Sequence, residues 1–183
     1  LEIEVIRKPL VGIIPTGDEI IPPCTDPKPG DIVEFNGSIF SAMVRQWGAE
    51  AKVYPIVPDR FDAIKETVSL AAEECDLVIL NAGSSAGRED FSARVIRELG
   101  EVLYHGIAMK PGKPAILGCK GATPILGVPG AAIKLPTTVF DVLLPQIFAG
   151  IPICQEELRN LADGGLCQMC RACHWPNCTF GRY

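Results

Sequence analysis

The 183-residue chain is 48% hydrophobic and 21% charged, with 17 basic against 22 acidic residues and a net charge of −5. That size and composition suit one soluble globular domain with a real core, and an acidic balance without a basic run argues against a nucleic-acid or anionic-membrane surface. No apolar stretch approaches the roughly 18 residues of a membrane span, and the opening Leu1-Glu2-Ile3-Glu4 is not a signal peptide, so a cytoplasmic protein acting on a small ligand is expected.

Leu10 to Ile14 is an apolar strand, and Pro15-Thr16-Gly17-Asp18-Glu19 turns away from its carboxyl end. Pro22 to Asp31 holds four prolines and a glycine, the composition of an extended connection. Asn36 stands where a helix N-cap belongs. Ile39, Phe40, Met43, Val44 and Trp47 form one face of the helix it opens, which Gly48 ends. Ala51 to Val57 reads as the next strand, ending in Pro58-Asp59, and Ile64, Val68 and Ala71 or Ala72 mark the helix after it.

Leu77 to Leu80 is a short unbroken apolar run, expected of a parallel strand covered on both faces. The stretch that follows, Ala82-Gly83-Ser84-Ser85-Ala86-Gly87, keeps its side chains small, so that successive N–H groups can converge on an oxyanion such as phosphate. Phe91, Val95, Ile96 and Leu99 then recur at helical spacing, which places the loop at a helix N-terminus, where anions are favoured. A tight strand-to-helix turn rich in small residues explains the same stretch, and at this point both readings stand.

Glu101 to Met109 suggests a strand, interrupted by Lys110-Pro111-Gly112-Lys113-Pro114. Ala115 to Gly118 and Pro124 to Val128 flank a Lys120-Gly121 turn as an antiparallel pair, closed by Pro129-Gly130. Val139 to Phe148 makes a further helix, capped by Thr137 or Thr138 and expected to kink at Pro145. This alternation gives an α/β fold over residues 1–150: a three-layer, open, mostly parallel sheet with helices on both faces. The loops at Thr16, Asp59 and Gly83 all leave strand carboxyl ends and should meet at one rim, the usual ligand position in such sheets. Neither a Gly-x-Gly-x-x-Gly nor a P-loop is present, which argues against a standard dinucleotide or NTPase site.

The order Pro15-Thr16-Gly17-Asp18-Glu19, Pro58-Asp59, Ala-Gly-Ser-Ser-Ala-Gly-Arg-Glu-Asp over 82–90, Lys110-Pro111-Gly112-Lys113-Pro114 and Val128-Pro129-Gly130 resembles the molybdenum-cofactor biosynthesis domain of the MoeA and MogA type. The resemblance runs from about residue 9 to 150. It implies binding of molybdopterin or its adenylylated form, through Thr16, Gly17, Asp18, Gly83, Ser84, Ser85, Gly87, Lys110, Gly112, Lys113, Pro129 and Gly130. It also implies a small-molecule pterin phosphate and molybdate as partners, and a homo-oligomer. Two departures stand out: Ala82 replaces the first glycine of the family's loop, and Pro129-Gly130-Ala131-Ala132 replaces Pro-Gly-Asn-Pro, removing an amide and a stiffening proline.

Asp59 and Asp90 are carboxylates expected near a phosphate loop, a conflict that Mg²⁺ held between them would relieve. Each also stands where a helix N-cap belongs, and the two roles are compatible. Asp18 and Glu19 either join that metal or are solvated turn residues. Ser85 would donate its hydroxyl to the pterin phosphate or to the turn backbone, and Lys110 and Lys113 would aim two ammonium groups at phosphate or molybdate or simply meet solvent. His105 reads as structural.

Of the eight cysteines, Cys24, Cys75, Cys119 and Cys154 are scattered, as reduced, buried small hydrophobes are. Cys167, Cys170, Cys173 and Cys178 cluster with spacing C-x2-C-x2-C-x4-C, so residues 151–183 are expected to form a linker and a tail. Four thiolates within twelve residues suit a [4Fe–4S] cluster or Zn²⁺, with His174 as a spare ligand, or else remain a reduced tail. Mg²⁺-dependent molybdate insertion is the leading activity. The alternatives are molybdopterin adenylylation, a non-catalytic molybdopterin-binding or sensing module, and a nucleotide pyrophosphatase of the same fold.

Overall fold

A computed structural model describes residues 3–82, 91–106, 115–129, 139–151 and Glu156. In chain order the elements are β1 (Leu10–Pro15), β2 (Ile20–Ile21), β3 (Ile32–Val33), α1 (Asn36–Gln46), β4 (Glu50–Val53), α2 (Phe61–Glu74), β5 (Leu77–Ala82), α3 (Phe91–Leu99), β6 (Glu101–His105), β7 (Ile116–Lys120), β8 (Thr123–Pro129) and α4 (Val139–Phe148). Six strands form one sheet in the order β4-β1-β5-β8-β7-β6, and β2 and β3 form a small parallel ribbon. The first four strands of that order run parallel, and the β7–β8 hairpin then reverses direction, as the Lys120-Gly121 turn predicts.

Alternation along the central strands builds two cores. Val11, Ile13, Leu77, Ile79, Leu126 and Val128 face Phe40 and Val44 of α1 and Leu143 and Leu144 of α4. Ile14, Val78, Leu80 and Ile125 face the opposite way, onto Ile64, Val68 and Ala71 of α2 and Val95 and Ile96 of α3. Because β1 and β5 are covered on both faces, their residues read as unbroken apolar runs rather than as alternating ones. The helices on each face therefore fix the strand ends to within the precision of a packed core.

Several local expectations are corrected. Asn36 is not the N-cap of α1: Phe35 holds that position without a side-chain bond, and the Gly37 N–H donates instead to Glu34 Oε1 at 2.7 Å. The acidic group thus comes from just ahead of the helix. The helix does end as predicted, with Gly48 in the left-handed region at φ +86°. The strand expected over 51–57 pairs only through Val53, because Pro55 has no N–H to give; the chain rejoins β1 at the Thr16–Val57 bridge. Asp59 does not cap α2, whose N-cap is Arg60 without a side-chain bond. The strand from Glu101 ends at His105, after which the Gly106 N–H donates to Ala115 O at 2.9 Å. Cys24 is exposed on the proline-rich connection, whereas Cys75 is buried as expected and Cys119 is half-buried. The caps expected at Thr137 or Thr138 lie outside the described residues, as does Cys154.

Candidate functional site

The carboxyl ends of the parallel strands are tied together by backbone bonds that their sequence dictates. Thr16, 3% exposed, donates its N–H to Asn81 O at 3.0 Å and its hydroxyl to the same oxygen at 3.2 Å, so β1 and β5 end side by side. Gly17 N–H donates to Val57 O at 3.1 Å, and Val57 N–H to Pro15 O at 2.9 Å, which brings the segment before Asp59 against the end of β1. Gly17 adopts φ +144°, and a Cβ there would meet Ile20 Cγ1 at 2.6 Å, so only glycine turns the chain here without strain. On the other side Ala82 pairs with Pro129, placing the stems of the Gly83–Asp90 and Gly130–Ala132 segments next to each other. Ile116 pairs with both His105 and Gly127, so the stems of the 107–114 segment emerge at this same end.

Thr16, Gly17, Asp18, Asp59 and the backbone of Pro129 therefore gather at one rim, as the topology predicts. The other candidate ligands, Gly83, Ser84, Ser85, Gly87, Asp90, Lys110, Gly112, Lys113, Gly130, Cys167, Cys170, Cys173 and Cys178, lie outside the described residues.

Electrostatically the rim is acidic. The Asp59 N–H donates to Asp18 Oδ1 at 3.1 Å. Burial first, then the charges of Glu19 and Asp18, push the Asp59 carboxyl above the usual aspartate range. Glu19 thus acts on Asp59 as well as turning the chain. Among the described residues no group of three or more His, Cys, Asp or Glu side chains is arranged to hold a metal ion. The carboxylates of Asp18 and Asp59 are oxygen donors of the kind Mg²⁺ takes, but the described residues do not by themselves complete a set of ligands for it.

Beside Asp18 lies a cleft of about 640 Å³ whose walls include Ile20, Pro22, Val53, Pro55 and Ile56. Apolar walls with one acidic end suit a planar ring carrying a charged substituent. Sequence reasoning missed Asn81 and this cleft. The signal for Asn81 was available, since a lone carboxamide closes the apolar run Leu77–Leu80; the cleft walls come from segments with no periodicity.

Residues 12–149 match the model of a family described as a probable molybdopterin binding domain. The chain belongs to this family. It is 33% identical over 167 residues to a molybdopterin molybdenumtransferase of Nostoc sp., covering 89% of this chain and 36% of that protein. The solved structure of a molybdopterin biosynthesis MoeA protein of Pyrococcus horikoshii superposes with a TM-score of 0.70 at 36% identity, over 79% of this chain and 35% of that one. A molybdopterin biosynthesis protein of Mycobacterium abscessus shares the fold, with a TM-score of 0.61 at 17% identity over 84% of this chain and 98% of that one. The chain spans about 36% of the length of the curated relatives it matches first. Family membership accounts for the mostly parallel sheet and its strand-end rim. Among the described residues no helix is long and apolar enough to cross a membrane.

Proposed function

We propose that the chain binds molybdopterin or its adenylylated form at the strand-end rim and serves Mg²⁺-dependent molybdate insertion. The observation that carries this reading is the convergence of the Thr16–Asp18 turn, the Val57–Asp59 segment and the ends of β5 and β8 at one end of the sheet. Asp59 and Asp90 would hold the Mg²⁺, with Asp18 and Glu19 beside them. The cation supplies charge neutralisation and Lewis acidity toward phosphate and molybdate oxygens. Burial and the charges of Glu19 and Asp18 raise the half-buried Asp59 carboxyl above its ordinary range, and a cation held there would offset that repulsion. Gly83, Ser84, Ser85 and Gly87 would contact the pterin phosphate, Lys110 and Lys113 would neutralise it or the incoming molybdate, and Gly112, Pro129 and Gly130 would complete the binding set. The apolar cleft beside Asp18 excludes water from one side of the ligand.

In the same reading residues 151–183 would be a linker and tail whose Cys167, Cys170, Cys173 and Cys178 would hold a [4Fe–4S] cluster or Zn²⁺, and the protein would act in the cytoplasm as a homo-oligomer. A second reading, a molybdopterin-binding module without turnover, is favoured by one observation, the replacement of the family's Pro-Gly-Asn-Pro by Pro129-Gly130-Ala131-Ala132. The test is incubation of purified protein with adenylylated molybdopterin, Mg²⁺ and molybdate. Molybdate-dependent release of AMP supports the insertion reading, tight pterin binding without release supports the module, and absence of pterin binding overturns both.

A further inference from the structure

Arg94 is held in a way that sets it apart from an ordinary surface arginine. Its guanidinium lies over the Phe61 ring, with Cζ 4.2 Å from the ring centroid. Phe61 is the first residue of α2 and packs, partly buried, against the core between the sheet and α2 and α3, so the platform under the guanidinium is fixed. Arg94 itself stands in the first turn of α3, and long side chains on a helix lean back toward its N-terminus. The stack on the first residue of α2 shows that this one does.

Both helix starts are at the rim. Asp59 precedes Phe61 by two residues, a span of no more than about 7 Å along the chain. The 83–90 stretch, to which the reading above gives the ligand phosphate, runs directly into Phe91 and α3. A guanidinium stacked on Phe61 is therefore beside the proposed Mg²⁺ and phosphate positions.

The charge on Arg94 is only partly answered. Its ion pair with Glu98 is made through Nε at 3.6 Å, whereas Lys65 Nζ donates to the other oxygen of the same carboxylate at 2.7 Å. Two cations thus share one anion, Arg94 has the longer contact, and its side chain stays 57% exposed. Asp62 and Glu66 line a groove with Lys65, so no broad positive field surrounds the site. What Arg94 offers is a planar fork in a fixed place, the geometry that takes two oxygens of one phosphate, with the aromatic ring limiting the freedom lost on binding.

We propose that Arg94, braced on Phe61, binds the second phosphate of a diphosphate-linked ligand and so selects the adenylylated form over the monophosphate. This inference rests on the pterin-phosphate reading of the site and decides between the two ligand forms which that reading leaves open. Adenylylation turns the single phosphate into a diphosphate and adds a second set of anionic oxygens for the fork to take.

The test uses the whole chain with Mg²⁺, titration calorimetry and three probes: a pterin with a monophosphorylated side chain, the adenylylated ester of the same pterin, and inorganic pyrophosphate. Wild-type protein is expected to bind the adenylylated ester about tenfold more tightly than the monophosphate, the scale of a charge-assisted bond to phosphate. Arg94→Gln should erase that preference and weaken pyrophosphate by the same factor, with monophosphate affinity unchanged. Glu98→Gln separates a ligand contact from a surface ion pair: it breaks the same pair but keeps the guanidinium, so affinity for the adenylylated ester should hold or rise. Equal affinity of wild-type protein for the two pterins overturns the inference, as does an Arg94→Gln protein that keeps the preference. Matching losses in Arg94→Gln and Glu98→Gln overturn it too, since the ion pair alone then matters. If wild-type protein binds neither pterin, the pterin reading falls and pyrophosphate alone decides this inference: the stated loss in Arg94→Gln upholds it, and no loss, or no binding by wild type, overturns it.

Discussion

The two ends of the sheet differ in how their polar groups are paired. At the amino end of the parallel strands, among the described residues, Asp76 accepts from Arg7 Nη1 and from the Leu10 N–H, both at 2.7 Å. Lys120 Nζ donates to Ser69 Oγ at 2.8 Å and Glu73 at 2.7 Å, and the Thr123 hydroxyl donates to Ala72 O at 3.0 Å. These bonds tie β1, β5 and the β7–β8 turn to one another and to α2. At the carboxyl end, among the described residues, the buried Asn81 Oδ1 has no partner, and Asp59 is crowded by Asp18 and Glu19. If the carboxyl end is the ligand site, as proposed, substitutions at the two ends should separate cleanly, one set acting on stability and the other on binding.

The largest effect is expected from Asp59→Asn. Removing the charge proposed to hold Mg²⁺ should lower Mg²⁺-dependent turnover by roughly 100-fold, the scale of losing one preorganised electrostatic contact. Stability should not fall. A carboxyl whose folded value is raised contributes fully below the ordinary aspartate range, and that contribution is lost as pH rises through the raised value, so at pH 7 the charge opposes folding. Urea denaturation at pH 7 should find the variant at least as stable as wild type, and a large loss would show that Asp59 belongs with the structural end after all.

Lys120→Met reverses that pattern. It deletes three bonds, to Ser69 O, Ser69 Oγ and Glu73, and should cost roughly 1 kcal/mol in urea denaturation with pterin affinity unchanged. Asp76→Asn should cost up to roughly 1 kcal/mol at pH 7, the usual scale of an exposed ion pair. Arg7 holds the Asp76 carboxyl below its ordinary range, so the stabilisation is complete above that range and is lost as pH falls through the depressed value. The gap between wild type and variant should therefore close in acid. Thr123→Val, which removes one hydroxyl bond to Ala72 O, should cost roughly 0.5 kcal/mol. Any of these three changing ligand affinity would erase the distinction between the ends.

How much of this the sequence discloses follows the same division. The core strands and helices are legible because packing against two helical layers writes itself into periodicity: Leu77–Leu80, Ile64/Val68/Ala71 and the β7–β8 pair are where the pattern places them. The misreadings fall where no core imposes a period. Pro55 breaks the strand expected through Val57, and Glu34 rather than Asn36 answers the first turn of α1, because a carboxylate just upstream can reach the same N–H. The rim positions of Thr16, Gly17 and Asp18 follow from topology, whereas the crowding of Asp59 by Glu19 requires the turn geometry that Gly17 sets. Asn81 hides in plain view, one polar residue at the end of an apolar run.

The central claim is that ligand binds at the carboxyl end of the sheet and nowhere near the paired groups of the other end. Backbone amide shifts, followed by NMR while a phosphorylated pterin and Mg²⁺ are added, test it directly. The account predicts perturbation at Thr16 to Glu19, Val57 to Asp59 and Asn81 to Ala82, with Asp76, Lys120 and Thr123 unmoved. Perturbation centred on Asp76, Lys120 and Thr123, with Thr16 and Asn81 silent, would contradict it.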